Sequence, residues 1–105
     1  MNTNKVVKII KLHAEWCSPC KAFKKTFDEI KGMEQYKDIE FNEIDIEDEE
    51  VGEPIVEKYE VKTVPTTLLL DENGDLIYKI IGNIPLNDLT EVIDKAMSDR
   101  KDEDA

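Results

Sequence analysis

The strongest constraint on the fold is an apolar strand that passes directly into an amphipathic helix. Residues 6–12 form a run rich in β-branched residues with lysines interspersed, which is typical of a strand buried over much of its length. The apolar residues that follow recur at i, i+4 and i+7: Phe23, Phe27 and Ile30. Pro19 suits a first helical turn and Gly32 suits a C-terminal stop. We therefore predict a helix over residues 18–31 immediately after the first strand.

The rest of the chain alternates in the same way. We predict a second strand over residues 39–46, a short helix after Pro54, an apolar strand over 66–70, a hairpin turn at Asn73-Gly74, a returning strand over 76–80 and a helix after Pro85. The predicted order is strand, helix, strand, helix, strand, strand, helix, which belongs to the α/β class. The first two strands are expected to be parallel, because a helix separates them.

The composition indicates one small domain that binds neither nucleic acid nor membrane. With 105 residues and 40% hydrophobic residues, the chain suffices for a single core. A net charge of −11 opposes any role that neutralises phosphates. No stretch approaches the roughly 20 apolar residues of a bilayer span, and no secretion signal is visible, so we expect a cytoplasmic protein. We expect the domain to cover residues 1–97, with an acidic, disordered tail at 98–105.

Acidic residues are concentrated between the second strand and the following helix. This region contains Glu43, Asp45, Glu47, Asp48, Glu49, Glu50 and Glu53. Runs of like charge usually form a solvated surface, and we interpret this one in that way.

The two cysteines of the chain stand where the predicted strand ends and the predicted helix begins. Unpaired N–H groups and the helix dipole would stabilise an anion at Cys17 and lower its pKa, so Cys17 is the predicted nucleophile. Cys20 lies three residues on, on the same helical face, with the two Cα atoms roughly 5 Å apart, so the pair can close a disulfide. Cys17 would attack a disulfide of a partner, and Cys20 would then resolve the mixed disulfide. Pro19 stiffens the turn between them.

A zinc site and two inert buried cysteines are the alternatives. A structural zinc site needs four ligands, and beyond the cysteines and His13 the chain offers only carboxylates, so we predict no metal. Free cysteines are often simply buried, but the polar Ser18-Pro19 insert beside Trp16 is not typical of a core.

At these residues the chain resembles the thioredoxin family, and the resemblance extends from about residue 6 to residue 97. Residues 14–21 match the active-site signature of the family apart from Ser18, where thioredoxins usually have Gly. A second characteristic motif of the family is similar to Lys58-Tyr59, Val61 and the run Val64-Pro65-Thr66 of this chain. The resemblance implies that the peptide bond before Pro65 is cis, and that the backbone of Val64 binds an extended substrate peptide beside the cysteines.

The resemblance also implies a docking surface around the cysteine pair. Gly82 corresponds to a glycine beside the family's site, and it would permit close approach of backbone. The expected substrate-binding residues are Trp16, Ser18, Pro19, Val64, Pro65, Ile81, Gly82 and Asn83.

Departures from the family pattern affect both fold and chemistry. Only 16 residues precede Cys17, so we expect a thioredoxin-like mixed sheet of four strands flanked by helices, with the strand 39–46 at its edge. Charge on an exposed edge discourages pairing with another chain.

His13 stands where many thioredoxins have Trp, and with Ser18 it could shift the redox potential.

One departure concerns proton transfer. The family usually places a buried Asp six residues before the first cysteine, and here that position is Lys11; a lysine common on the neighbouring strand is replaced by Glu43. We therefore expect a charge-reversed pair in which Glu43, its pKa raised by burial, acts as proton acceptor for Cys20. The alternative is a solvated Glu43 with the stem of Lys11 lying along the surface.

The function implied by these residues is an enzyme that reduces protein disulfides. Its partners would be disulfide-containing proteins and an upstream, thioredoxin-reductase-like enzyme, and it would be a monomer that needs no cofactor. Two alternatives stay open. The chain could be a binding module whose cysteines are incidental, or an oxidase or isomerase of the same fold.

Overall fold

The computed structural model describes residues 5–103, with side chains as far as residue 97. The elements are β1 (Lys8–His13), α1 (Ser18–Lys31), a 3₁₀ turn (Glu34–Tyr36), β2 (Glu40–Asp45), α2 (Gly52–Lys58), β3 (Thr66–Leu70), β4 (Leu76–Ile81) and α3 (Leu86–Glu103). This order confirms the predicted succession of strands and helices. None of the helices in the described part of the chain is long and apolar enough to cross a bilayer.

The strands form one mixed sheet of four strands in the order β2-β1-β3-β4. β1 pairs with β2 in parallel and with β3 antiparallel, and β3 and β4 form an antiparallel hairpin. The predicted four-stranded α/β architecture is therefore confirmed. β2 lies at an edge of this sheet, as expected for the strand with the most acidic surroundings.

The central strand β1 is buried on both faces, because helices cover the sheet from two sides. Ile9 packs with the apolar faces of α1 and α3, whereas Ile10 and Leu12 pack with residues of α2. A strand buried on both faces has a nearly continuous apolar run, which explains the pattern at residues 6–12. The chain leaves β1 at His13 and enters α1 only a few residues later, so the start of α1 lies at the C-terminal end of β1.

The acidic run is largely exposed, as predicted, and two of its carboxylates also accept backbone N–H groups. The Asp45 carboxylate accepts the Glu47 N–H at 2.9 Å, and the Asp48 carboxylate accepts the Glu50 N–H at 3.0 Å. The carbonyl of Asp48 also accepts the Gly52 N–H at 2.7 Å. These bonds occupy backbone donors between β2 and α2, as short Asp side chains commonly do in turns.

The C-terminal helix continues further than predicted. We expected a disordered tail from residue 98, but α3 extends to Glu103. Residues 98–103 contain neither Gly nor Pro and include Arg, Lys and Glu, which propagate a helix readily. The last two residues of the predicted tail lie outside the described residues, and the boundary between domain and tail stays a prediction.

Gly52 allows α2 to begin directly against the end of β2. A Cβ at this position would overlap the carbonyl oxygen of Asp45 and lie 3.0 Å from the Cα of Ile46. We expect Gly52→Ala to lower the free energy of unfolding by about 1–3 kcal/mol, because backbone on both sides must move. Urea denaturation measures this change.

Gly32→Ala is the matched control. A Cβ at Gly32 would meet its nearest atom at 3.7 Å, which is ordinary contact. Its expected change in stability is within about 0.5 kcal/mol. Equal losses in the two variants would contradict the close packing of α2 on β2.

Candidate active site

The two cysteines form a disulfide at the start of α1. Cys17 is the N-cap residue of the helix, with extended backbone angles of φ −94° and ψ 106°. Cys20 lies in the first turn, and the two Cα atoms are 5.2 Å apart. The prediction that the pair shares one face at a strand-to-helix junction is therefore confirmed. The structure represents the oxidised form of the protein.

The electrostatic surroundings of Cys17 favour an anion. The backbone N–H of Cys20 donates a hydrogen bond to Cys17 Sγ at 3.1 Å. The first turn of α1 contains no acidic residue, so no side chain of that turn opposes negative charge at the helix N-terminus. When the disulfide is reduced, the same donor and the helix dipole stabilise a thiolate on Cys17.

A loop with a cis proline lies against the disulfide. The Val64–Pro65 peptide bond is cis, as the resemblance implied. Cys17 Sγ lies 3.6 Å from the carbonyl oxygen of Val64, and Val64 packs against the buried cluster of Ala14, Cys17 and Cys20. The Pro65 carbonyl accepts the Gly82 N–H at 2.9 Å, so the end of β4 lies beside this loop.

The predicted docking residues differ in their exposure to solvent. Trp16 is 65% exposed and Ile81 is 62% exposed. Ser18, Pro19 and Asn83 are also exposed, Val64 and Gly82 are half-buried, and Pro65 is buried. Cys17 itself is only 4% exposed.

Gly82 is needed for its backbone conformation. Its φ is +95°, a value that side chains rarely tolerate. A Cβ at this position would meet no atom within 4 Å. The space beside Gly82 is open in the free protein, and the close approach of a bound backbone stays a prediction.

The charge-reversed pair that we predicted is present. Lys11 and Glu43 are partners across β1 and β2, and Lys11 Nζ lies 3.0 Å from Glu43 Oε1. Lys11 is only 2% exposed, so its stem does not lie along the surface as the alternative required. Its ammonium also lies 5.2 Å from the centre of the Phe27 ring, a favourable position for a cation.

The predicted raised pKa of Glu43 is wrong. Burial raises the pKa of Glu43, but hydrogen bonds from Lys31 and then Lys11, together with their charges, lower it to about 2. Lys31 Nζ donates to Glu43 Oε2 at 2.8 Å, and Lys24 Nζ lies 3.8 Å from Oε1. A carboxylate held so strongly as an anion is a weak base, so it does not suit the role of proton acceptor for Cys20.

Glu47 belongs to the site and was missed by the sequence analysis. The indole N–H of Trp16 donates to Glu47 Oε2 at 2.9 Å. Beside this pair lies a groove of about 220 Å³, here named the Trp16 groove, lined by Trp16, Ile46, Val56, Val61, Lys62, Thr63 and Val64. The contact joins residues 31 positions apart, and Glu47 is one member of an acidic run, so no local pattern indicates it.

The fold and this site together define a class of protein. A disulfide whose first cysteine caps a helix, beside a cis proline loop of a mixed sheet, is the arrangement of thioredoxin-like thiol–disulfide oxidoreductases. The family model for thioredoxin matches residues 1–95, and the chain belongs to the thioredoxin family.

Individual relatives agree with this assignment. The chain is 32% identical to thioredoxin of Mycoplasmoides gallisepticum over 93 residues, which cover 89% of this chain and 86% of the relative. It is 32% identical to thioredoxin of Staphylococcus epidermidis, with 85% and 81% covered. Among solved structures, Malassezia sympodialis thioredoxin matches with a TM-score of 0.74 at 23% identity, covering 90% of this chain and 79% of that one, which shows the same fold. The chain is therefore a thiol–disulfide oxidoreductase.

The pKa of Glu43 predicts how stability depends on pH. It is about 2 in the folded protein against an ordinary value of 4.5. Ionised Glu43 therefore stabilises the fold above pH 4.5, and this contribution is lost as the pH falls from 4.5 towards 2. Glu43→Gln leaves the Lys11 ammonium buried without its counter-charge, and we expect it to lower the free energy of unfolding at pH 7 by about 1–3 kcal/mol.

Urea denaturation between pH 7 and pH 2 tests this prediction. Glu43→Gln should lose less stability than the parent protein as the pH falls, because it has no carboxyl group to protonate at this site. Glu40→Gln is the control on the same strand, since Glu40 is 61% exposed and lies 3.9 Å from Lys8. Its stability should match the parent at each pH within about 0.5 kcal/mol. Equal losses of unfolding free energy in the parent and in Glu43→Gln as the pH falls would contradict the prediction.

Proposed function

We propose that this protein reduces disulfides in other proteins by dithiol–disulfide exchange. The observation that supports this proposal best is the bond from the Cys20 N–H to Cys17 Sγ at the N-terminus of α1. In the reduced protein this donor and the helix dipole favour the thiolate, which is the nucleophile in disulfide exchange. Cys20 lies one turn further along, where it can reach Cys17 Sγ again.

The reaction has two exchange steps. In the first, the Cys17 thiolate attacks one sulfur of the target disulfide, a mixed disulfide forms, and the other target sulfur leaves as a thiolate. In the second, Cys20 loses its proton to that thiolate or to water and attacks Cys17 Sγ. The Cys17–Cys20 disulfide forms and the second target sulfur leaves. The target gains two electrons and two protons, and this protein is left oxidised.

The target is proposed to bind as an extended segment along the cis proline loop. Val64 would pair with it through backbone groups, because its carbonyl oxygen lies 3.6 Å from Cys17 Sγ. Trp16, which precedes Cys17, and Ile81, which pairs with Thr66 after the cis proline, expose large apolar surfaces. The remaining residues proposed for this surface are Ser18, Pro19, Pro65, Gly82 and Asn83.

The oxidised form must be recharged by a dithiol reductant. A thioredoxin-reductase-like enzyme would supply two electrons to the Cys17–Cys20 disulfide, and the two sulfurs hold these electrons without an organic cofactor. The two cysteines can be reduced again only where such a reductant is present. We therefore propose that the protein acts in a reducing compartment such as the cytoplasm. We propose that it acts there as a monomer.

Cysteine variants test the proposed reaction. We expect Cys17→Ser to reduce insulin disulfides no faster than dithiothreitol alone, because no nucleophile remains. Cys20→Ser retains the nucleophile but cannot resolve the first product, so it should accumulate a mixed disulfide with the target that mass spectrometry detects. Full activity of Cys17→Ser would contradict the proposal.

The redox potential separates a reductase from an oxidase or isomerase. Equilibration of the parent protein with glutathione buffers measures this potential. A reductase should lie near about −270 mV, whereas a strong oxidase lies near about −120 mV. A redox potential near about −120 mV would instead indicate an oxidase.

A variant that lacks both cysteines tests the third alternative. If this variant still binds its partner and loses no function, the chain is a binding module.

A further inference from the structure

The Trp16 groove is a feature that the exchange chemistry does not itself require. It lies beside the disulfide, because Val64 both lines the groove and contacts Cys17. We infer that this groove selects target disulfides that have an arginine within two residues of the reacting cysteine. The inference rests on the function proposed above and specifies the targets on which it acts.

The indole of Trp16 is held in place and exposed. Its N–H is bound to Glu47, and 65% of the residue is accessible to solvent. An indole fixed through its edge presents its faces to a ligand, and Trp is the aromatic side chain that attracts cations most strongly. A guanidinium can stack on such a face more readily than a compact ammonium can.

Glu47 places a carboxylate at the edge of the same ring. One of its oxygens accepts the indole N–H at 2.9 Å. A guanidinium has five donors in a planar fork, so it can stack on Trp16 and donate to the Glu47 carboxylate at the same time. The exposed acids that follow, Asp48, Glu49 and Glu50, keep the local potential negative and favour the approach of a cation.

The walls and size of the groove suit the stem of one long side chain. Ile46, Val56 and Val61 supply apolar surface along it. A volume of about 220 Å³ is smaller than that of most small-molecule pockets, so it suits one side chain better than a cofactor. An arginine can place its methylene groups on these walls and its charged head at the polar end.

The charged residues around the groove determine which end of it binds the guanidinium of the target. Lys62 also lines the groove and repels a second cation at its own position. The guanidinium therefore lies at the Trp16 end of the groove, where Glu47 accepts the indole N–H. Because Val64 is shared between the groove and the sulfur, the arginine lies close in sequence to the reacting cysteine of an extended target segment.

Matched disulfide peptides test this inference. The peptides are identical except for Arg, Gln or Glu two residues from one cysteine, and stopped-flow fluorescence gives their second-order rate constants with the reduced protein. We expect the Arg peptide to react about three- to tenfold faster than the Gln peptide, and the Glu peptide to react slowest. The Arg preference should shrink in 0.5 M salt, which screens exposed charges.

Two variants locate the source of the preference. Glu47→Gln keeps a side-chain oxygen that can accept the indole N–H but removes the charge, so the Arg preference should fall to less than about twofold. Glu72→Gln removes the same charge from an exposed residue after β3, at the opposite end of that strand from the cis proline loop. It should keep the full preference.

The outcomes separate this inference from the proposed function. Equal rates for the Arg and Gln peptides, with both peptides reduced, would overturn the arginine preference and leave the reductase function intact. Equal loss of preference in the two variants would also overturn it, because net charge alone would then explain the effect. Failure of the parent protein to reduce either peptide or insulin would instead remove the proposed function.

Discussion

The contact on which both the helix and the chemistry depend is the hydrogen bond from the Cys20 N–H to Cys17 Sγ. A helix begins with backbone donors that have no partner in the preceding turn, and Ser, Thr, Asp or Asn usually satisfies one of them. Here a sulfur takes this place, with extended backbone angles at Cys17. The group that caps α1 is therefore also the group that we propose as the nucleophile. A thiolate caps the helix better than a thiol does, because it adds charge to the bond.

The sheet determines what lies beneath this helix. Lys11 on the central strand is almost fully buried, and a buried ammonium is tolerated only when a carboxylate and further favourable contacts compensate it. Glu43 provides the carboxylate and Phe27 provides a ring face. Lys31 of α1, together with Lys11, lowers the pKa of Glu43 to about 2 and keeps its carboxylate ionised. At the position where the resemblance places a buried Asp, this chain has Lys11 paired with Glu43, and we propose that proton transfer from Cys20 uses other groups.

Local patterns were sufficient for the elements and the reactive pair, but not for the contacts that modify them. The alternation of apolar runs indicated the strands, and the junction at residues 13–18 indicated where the reactive pair lies. The resemblance implied the cis bond before Pro65. The low pKa of Glu43 could not be predicted, since it depends on Lys31, which the packing of α1 over β2 brings to 2.8 Å. For the same reason the contact between Trp16 and Glu47 has no local signal.

The acidic segment shows why composition alone gave an incomplete interpretation. Charge runs are usually solvated, and much of this one is exposed. Yet Asp45 and Asp48 accept backbone N–H groups that would otherwise lack partners between β2 and α2, and Glu47 holds an exposed indole beside the disulfide. One short segment thus connects an edge strand, the start of a helix and the rim of the site. These contacts hold the carboxylates of Asp45, Asp48 and Glu47 in place, so their negative charge lies at fixed positions on the surface.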